Sequence, residues 1–420
     1  MSAAWWSAEE KKGKAKLVHG DGPFYALLSL LFVAVISPQE YLTALAPLRI
    51  AFVTAVISVG AFILNRIASR KALVVWSRET VIAALILSWA LVTVPMSIWP
   101  GGSISSLLQM YIKTLIVFWL ISHVVNTSSR LNRTVILVSL MSIPLAATAV
   151  YNLSIGAFIG DGRIAGYTGA LTTNPNDLAL MLNLMLPLTV ALMLNARGLF
   201  VRGFYGLVAI LSVLAILATY SRGGFVTLAA ITCFYVIHMI REGRFATLFI
   251  LGCFIVFCAL LVPIDYLDRV GTIVSPDQDP TGSAQERWAD MRVALLLILE
   301  NPIVGVGIGT NELALNLARG EHWLQVHNVY LIYGVELGLP GFLLFVILVV
   351  LAFHTARGAE IKARNRTELQ DLANISEGVK ISIVAFSVAA MFSPVAYQLY
   401  FYLYAGLAIA ARTIVDSDGS

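Results

Sequence analysis

The sequence predicts an all-α, polytopic membrane protein of about twelve transmembrane helices. Three observations carry that prediction. Hydrophobic residues make up 59% of the 420 and charged residues only 12%, whereas a soluble domain is about a quarter charged; mean hydropathy is +0.83. Apolar runs near the roughly 20 residues needed to cross a bilayer recur along the whole chain. Lys and Arg concentrate on alternate connections between those runs, the pattern of a topogenic charge bias.

The runs are 24–38, 44–64, 80–98, 107–125, 133–151, 176–195, 203–220, 224–240, 246–263, 329–353, 379–396 and 398–414. The first is short and the last two are crowded, so a count of eleven also fits. With the N-terminus in the cytoplasm, the cytoplasmic connections hold Lys11, Lys12, Lys14 and Lys16, then Arg66, Arg70, Lys71 and Arg78. Arg130, Arg133, Arg197, Arg202, Arg241 and Arg244 follow, then Arg357, Lys362, Arg364 and Arg366. The turns at 39–43 and 99–106, on the far side, are nearly uncharged. The expected organisation is a cytoplasmic tail at 1–23, helices one to nine over 24–263 and a far-side loop at 264–328. Helices ten to twelve follow over 329–414, with a cytoplasmic loop at 354–378, and the chain ends in a cytoplasmic tail at 415–420. The polar start, Trp5 and Trp6 followed by EEKKGKAK, reads as a retained tail rather than a cleaved signal peptide.

A net charge of +4 gives no reason to expect nucleic acid; membrane lipids are the partner that composition implies. Cys233, Cys253 and Cys258 all fall within apolar runs and read as packing residues, not a redox or metal centre.

Six basic residues oppose the charge trend: Arg163, Arg222, Arg269, Arg287, Arg292 and Arg319. Three lie in unusual local sequence. Arg163 belongs to a Gly- and Thr-rich loop that runs into Asn174-Pro175-Asn176, where either asparagine suits a helix N-cap and the proline suits the first turn. Arg222 sits in TYSRGG, which joins two apolar runs with almost no loop; its guanidinium fork suits phosphate, and Ser221 and the glycines bring backbone donors to the same anion. Arg287 follows Ser283 and Glu286, which read as a capping box at the head of an amphipathic helix over 285–300. The NPIVGVGIG run at 301–309 permits tight backbone geometry but lacks the spacing of a phosphate-binding loop.

His327 and Asn328 stand at the head of the next apolar run, and Glu336, two turns in, is an intramembrane carboxylate that needs a partner. No zinc-ligand set is evident. Asp277, Asp279, Thr281 and Gly282 half-match a calcium loop, but the bidentate glutamate position is Trp288. The expectation is a site without metal or cofactor. Its arginines would stabilise a diphosphate leaving group, and its histidine would take a proton from an attacking hydroxyl. That set fits glycosyl transfer from a polyprenyl-diphosphate sugar, inverting the anomeric carbon in one direct attack.

The order and spacing of GRIAGYTGALTTNPNDLAL at 162–180, SRGG at 221–224, ERW at 286–288, NPIVGVGIG at 301–309 and HNVYLIYGVELGLPGFLLF at 327–345 resemble the O-antigen ligase and O-antigen polymerase superfamily of bacterial envelope proteins. The resemblance implies a GT-C-like helical glycosyltransferase in the inner membrane, with short amphipathic helices in a periplasmic loop. It implies undecaprenyl-diphosphate glycan as donor, and lipid A–core or a growing glycan as acceptor. Arg222 and Arg287 correspond to the arginines that engage the diphosphate, and His327 to the histidine that activates or positions the acceptor. Arg163, Asn174, Asn176, Ser221, Asn328 and Glu336 are the substrate-binding candidates. Ligases, repeat-unit polymerases and protein O-glycosylating enzymes share this scaffold; the length and modest loop favour a ligase or an exopolysaccharide polymerase, extra C-terminal soluble sequence of the kind a protein glycosylase carries is not seen, and of the remaining two the ligase is the preferred reading. A transporter that binds the same lipid without covalent chemistry is the rival class, but inverted repeats, which would signal it, are not evident.

Overall fold

The computed structural model describes residues 21–159, 163–164, 166–169, 171–241, 243, 245, 252, 282–320 and 323–417. Among the described residues the fold is all-α apart from one two-stranded hairpin. In chain order the helices are α1 (Gly22–Ile36), α2 (Ile50–Ala68), α3 (Arg78–Thr93), α4 (Pro100–Ser106), α5 (Ile112–Val124) and α6 (Ser128–Ser154). The hairpin β1 (Phe158–Ile159) and β2 (Arg163–Ile164) precedes α7 (Pro175–Asn195), α8 (Leu199–Ala218) and α9 (Arg222–Arg241). Then come α10 (Ser283–Glu300), α11 (Asn311–Arg319), α12 (Val329–Arg364), α13 (Gln370–Ala389) and α14 (Leu399–Ser417). Among the described residues ten helical segments are long and apolar enough to cross a membrane, with α1 a shorter apolar helix beside them. The predicted run 246–263 lies outside the described residues apart from an isolated position, as does the loop up to 281 with Arg269 and the calcium-like aspartates.

Helices α7, α13 and α14 form the buried centre, and α2 lies at the periphery. Small and polar side chains let the central helices close up. Ser382 Oγ donates to the Leu184 carbonyl at 2.8 Å, and a Cβ on Gly378 would stand 2.9 Å from the Pro187 carbonyl oxygen. Such contacts substitute for hydrophobic burial where helices meet in lipid.

The mixed-charge segment expected as a loop at 354–378 is mostly helical: α12 runs to Arg364 and α13 starts at Gln370. Several of its charges are paired within or just beyond the segment. Arg364 pairs with Glu360 at 3.1 Å and with Glu377 at 2.6 Å, and Lys380 pairs with Glu360. The helices therefore continue past the apolar runs. The same end of the bundle carries Arg130 paired with Asp21 at 2.8 Å and Lys362 with Asp416 at 2.7 Å. Cys233, expected in packing, is exposed on α9; Cys253 and Cys258 lie outside the described residues.

Helix α12 is broken near its start. Gly338 has φ 66° and ψ −172° two residues before Pro340, and the carbonyls freed by the break are captured by neighbours. Val306 and Gly307 donate backbone N–H to Val335 and Glu336 at 2.8 and 2.9 Å, and Trp89 Nε1 donates to Leu337 at 2.9 Å. Irregular backbone inside a bilayer is tolerated where protein covers it in this way. The NPIVGVGIG run is thus a plug for a broken helix. Gly307 needs its glycine: at φ 109° a Cβ would meet Ser97 Oγ at 2.0 Å.

Candidate active site

The site is built where one end of α7, α9 and α13 meets α10. Asn174 Oδ1 accepts from the Asn176 N–H at 2.8 Å and caps α7, with Pro175 in the first turn, as the sequence led us to expect. Asn183 Nδ2, buried two turns along α7, donates to the Gly224 carbonyl at 3.1 Å and so pins the start of α9. The α8–α9 turn is tight: Tyr220 takes φ 52°, and Ser221 Oγ accepts from the Gly224 N–H at 3.1 Å. Ser221 therefore caps α9 as well as facing the cleft.

Asn176, Ser221, Gly223, Gly224, Arg287, Phe392 and Ser393 line one cleft, with Leu180, Thr227 and Ala389 behind them. Its volume is about 10 Å³, room for roughly one water molecule. Arg287 is the cationic side chain in that lining. Arg222 approaches from α9 and donates a 2.5 Å hydrogen bond to Ser283 Oγ, one turn before Arg287 on α10. Ser283 is thus drawn to Arg222 rather than into the expected capping box; Gly282 occupies the cap position with φ 69°.

Helix α10 forms where the sequence predicts an amphipathic helix, but its apolar residues divide between two faces. Ala294 is buried, Leu297 and Ile298 pack on the core, and Trp288, Leu295, Leu296 and Leu299 face outward. Arg319, at the end of α11, pairs with buried Asp290 of α10 and ties the two helices together.

His327 is half-buried just before α12. Burial, and then the nearby Arg287 charge, push its imidazole down to about 4, with hydrogen bonding to the Gln325 backbone opposing them. At neutral pH it is an uncharged base, and its Nδ1 has no hydrogen-bond partner in the described structure. The adjacent Val329 N–H donates to the Ala390 carbonyl at 2.7 Å, and Tyr330 Oη donates to the Ser387 carbonyl at 3.0 Å. These bonds fasten the His327 segment to the end of α13 that lines the cleft.

The remaining expectations divide. Asn328 caps α12 by accepting from the Leu331 N–H at 3.1 Å, a structural task. Glu336 does not line the cleft; it is buried, and Oε1 accepts from the Asn311 backbone at 3.1 Å and from Asn311 Nδ2 at 2.6 Å. Arg163 lies in the β-hairpin opposite Ile159, not in the cleft lining. Sequence reasoning missed Asn183, Phe392 and Ser393. Asn183 was detectable as an amide within an apolar run, whereas nothing local marks the other two. Among the described residues no group of three or more His, Cys, Asp or Glu is placed to hold a metal ion.

No curated protein matches the chain. Residues 207–346 match the family model for O-antigen ligase, a segment that holds Ser221, Arg222, Arg287, His327, Asn328 and Glu336. Through that segment, a third of the chain, the protein is similar to the O-antigen ligase superfamily.

Proposed function

We propose that the protein transfers a glycan from undecaprenyl diphosphate to a hydroxyl of lipid A–core, at the periplasmic face of the bacterial inner membrane, as an O-antigen ligase. Arg287 and Arg222 hold the diphosphate. Neutral His327 accepts the acceptor hydroxyl's proton as its oxygen attacks the anomeric carbon. The bond from that carbon to the diphosphate breaks with its electron pair, and the arginines stabilise the charge that develops there. One displacement inverts the anomeric centre, and no residue in this scheme needs a metal. Arg163, Asn174 and Asn176 would contact the glycan-bearing end of the donor. The cleft is narrow, so donor binding must widen it.

The observation that carries this reading is the electrostatic reach of Arg287, in the cleft lining, to an unprotonated His327 whose Nδ1 has no hydrogen-bond partner. A base within electrostatic reach of an anion-binding group suits glycosyl-type displacement of a phosphate better than carriage of an intact lipid.

The test uses purified protein, undecaprenyl-diphosphate glycan and lipid A–core in the presence of EDTA. Covalent transfer to core that disappears in His327→Ala supports the ligase. Chain extension in the absence of core would point instead to a repeat-unit polymerase, and donor binding with no covalent product to a transporter.

A further inference from the structure

Glu336 is fully buried in the broken start of α12, outside the cleft, and the mechanism gives it no chemical step. Its carboxylate does two things. On one side it caps α11 from a different helix: it hydrogen-bonds to the backbone of Gly309 and Asn311 and to the Asn311 amide. Thr310, the natural cap of α11, makes no side-chain cap bond. The Asn311 side chain then uses its own oxygen, Oδ1, to accept from the Val326 N–H at 3.0 Å. Val326 is the residue before His327, and it too is fully buried.

On the other side Glu336 faces the hydroxyl of Tyr397. Tyr397 lies in the α13–α14 connection, four residues after Ser393, which lines the cleft. It is buried and has φ 62°, a conformation that costs a non-glycine residue of order 1–3 kcal/mol and persists only when its surroundings enforce it. Its ring is fixed between Tyr333 and Tyr111, with centroids at 4.5 and 5.2 Å. One buried carboxylate therefore bonds to Asn311, which holds the residue before His327, and interacts electrostatically with Tyr397, in the connection that carries the cleft residues Phe392 and Ser393.

We infer that Glu336, Asn311 and Tyr397 form a positioning unit that sets His327 relative to the cleft wall at Phe392 and Ser393, so that proton acceptance and donor displacement occur in register. The inference rests on the proposed transferase reading. Asn311 is the critical link, because it both donates to the carboxylate and accepts from the segment that carries the base. Aspartate in its place keeps the acceptor but loses the Nδ2 donor and sets a second carboxylate beside Glu336. Glutamine at 336 keeps an acceptor for Asn311 and gains a donor toward Tyr397.

The experiment measures glycan transfer by the full-length protein in detergent, with separate kcat and KM for the core acceptor and a pH profile of kcat/KM. Thermal unfolding of each variant is followed in parallel. Wild type must transfer glycan; if it does not, the transferase reading fails and the positioning inference falls with it. Given transfer, Asn311→Ala, Asn311→Asp and Glu336→Ala are expected to lose kcat by about 10²-fold with acceptor KM within a few fold. The residual activity should have its acid limb moved upward in pH, because a loosened His327 segment admits water. Glu336→Gln should recover most of the lost turnover, and Tyr397→Phe should show a smaller kcat loss. Wild-type kcat and pH profile in folded Asn311→Ala would overturn the inference. So would Glu336→Gln as impaired as Glu336→Ala, or losses that track thermal stability alone with an unmoved pH profile.

Discussion

The Arg222 guanidinium donates a 2.5 Å hydrogen bond to Ser283 Oγ, joining the first residue of α9 to the first residue of α10. Arg287 follows one turn later and reaches the cleft. The two arginines that the sequence singles out therefore act through one another: Arg222 sets where α10 begins, and Arg287 is placed by that choice.

That coupling predicts unequal losses. Arg287→Ala removes a cation from the cleft and is expected to cost about 10²–10³ in kcat, the scale for a group that stabilises developing charge. Arg222→Ala should lose at least as much as Ser283→Ala, because both break the tie. Because Arg222 also holds the diphosphate in the proposed mechanism, Arg222→Ala should exceed Ser283→Ala by a further order of magnitude. Steady-state transfer assays on the three variants decide this, and equal tolerance of all three would leave the arginines without a catalytic task.

His327 gives a pH prediction with a definite sign. Burial first, and Arg287 second, hold its imidazole near 4, below the ordinary value of 6.5. The base form is thus competent well below neutral pH, and kcat/KM should fall on the acid side only as pH approaches 4. Arg287→Gln removes the second cause, so the acid limb should move up toward the ordinary range. The same shift bears on stability. A histidine whose folded value is depressed contributes stability in full above about 6.5, and loses it as pH falls through the window down to about 4. His327→Gln should flatten the dependence of unfolding temperature on pH across that window.

Arg319 invites treatment as a bystander from the sequence, with turnover expected to survive its removal. The structure gives it a structural duty, because it neutralises buried Asp290 and joins α11 to α10. Burial raises the Asp290 carboxyl while Arg319 opposes that rise. Arg319→Ala should therefore destabilise the protein by about 1–3 kcal/mol, the cost of a buried group left unsatisfied. Asp290→Asn in the same chain should recover part of it. Thermal unfolding of the single and double variants measures the coupling.

The plug on α12 predicts a loss of stability at two glycines. Gly307→Ala places a Cβ against Ser97 Oγ, and Gly338→Ala places one 2.2 Å from the Ile303 carbonyl oxygen, each at positive φ. Each should destabilise by about 1–3 kcal/mol, the scale of a strained backbone position. Gly203→Ala, with open space around it, should be near neutral. Differential unfolding in one detergent compares them.

The membrane-spanning helices, the cap at Asn174 and the tight turn at 219–224 are legible in the sequence because each is a local property. An apolar run must satisfy its backbone internally, an asparagine before a first turn meets its own N–H groups, and glycines mark close approach. The segment 354–378 misled because charge normally ends a span; there the partners that tolerate it lie on other turns and other helices. The candidate site was only partly readable for the same reason. Arg287 and His327 were visible as charges and a base out of place, whereas Glu336 looked like a ligand to substrate and is instead bonded to Asn311.

By itself, the sequence determined that this is a helical membrane protein and marked which side chains are candidates for chemistry, since hydropathy and residue type need no neighbours to be read. Only the tertiary structure decided which of those side chains meet. It set Arg287 beside His327 and Ser393 beside Arg287, placed Arg163 outside the cleft lining, and bent α12 open at Gly338. Those outcomes depend on hydrogen bonds and packing between residues tens to hundreds of positions apart, and no local pattern encodes them.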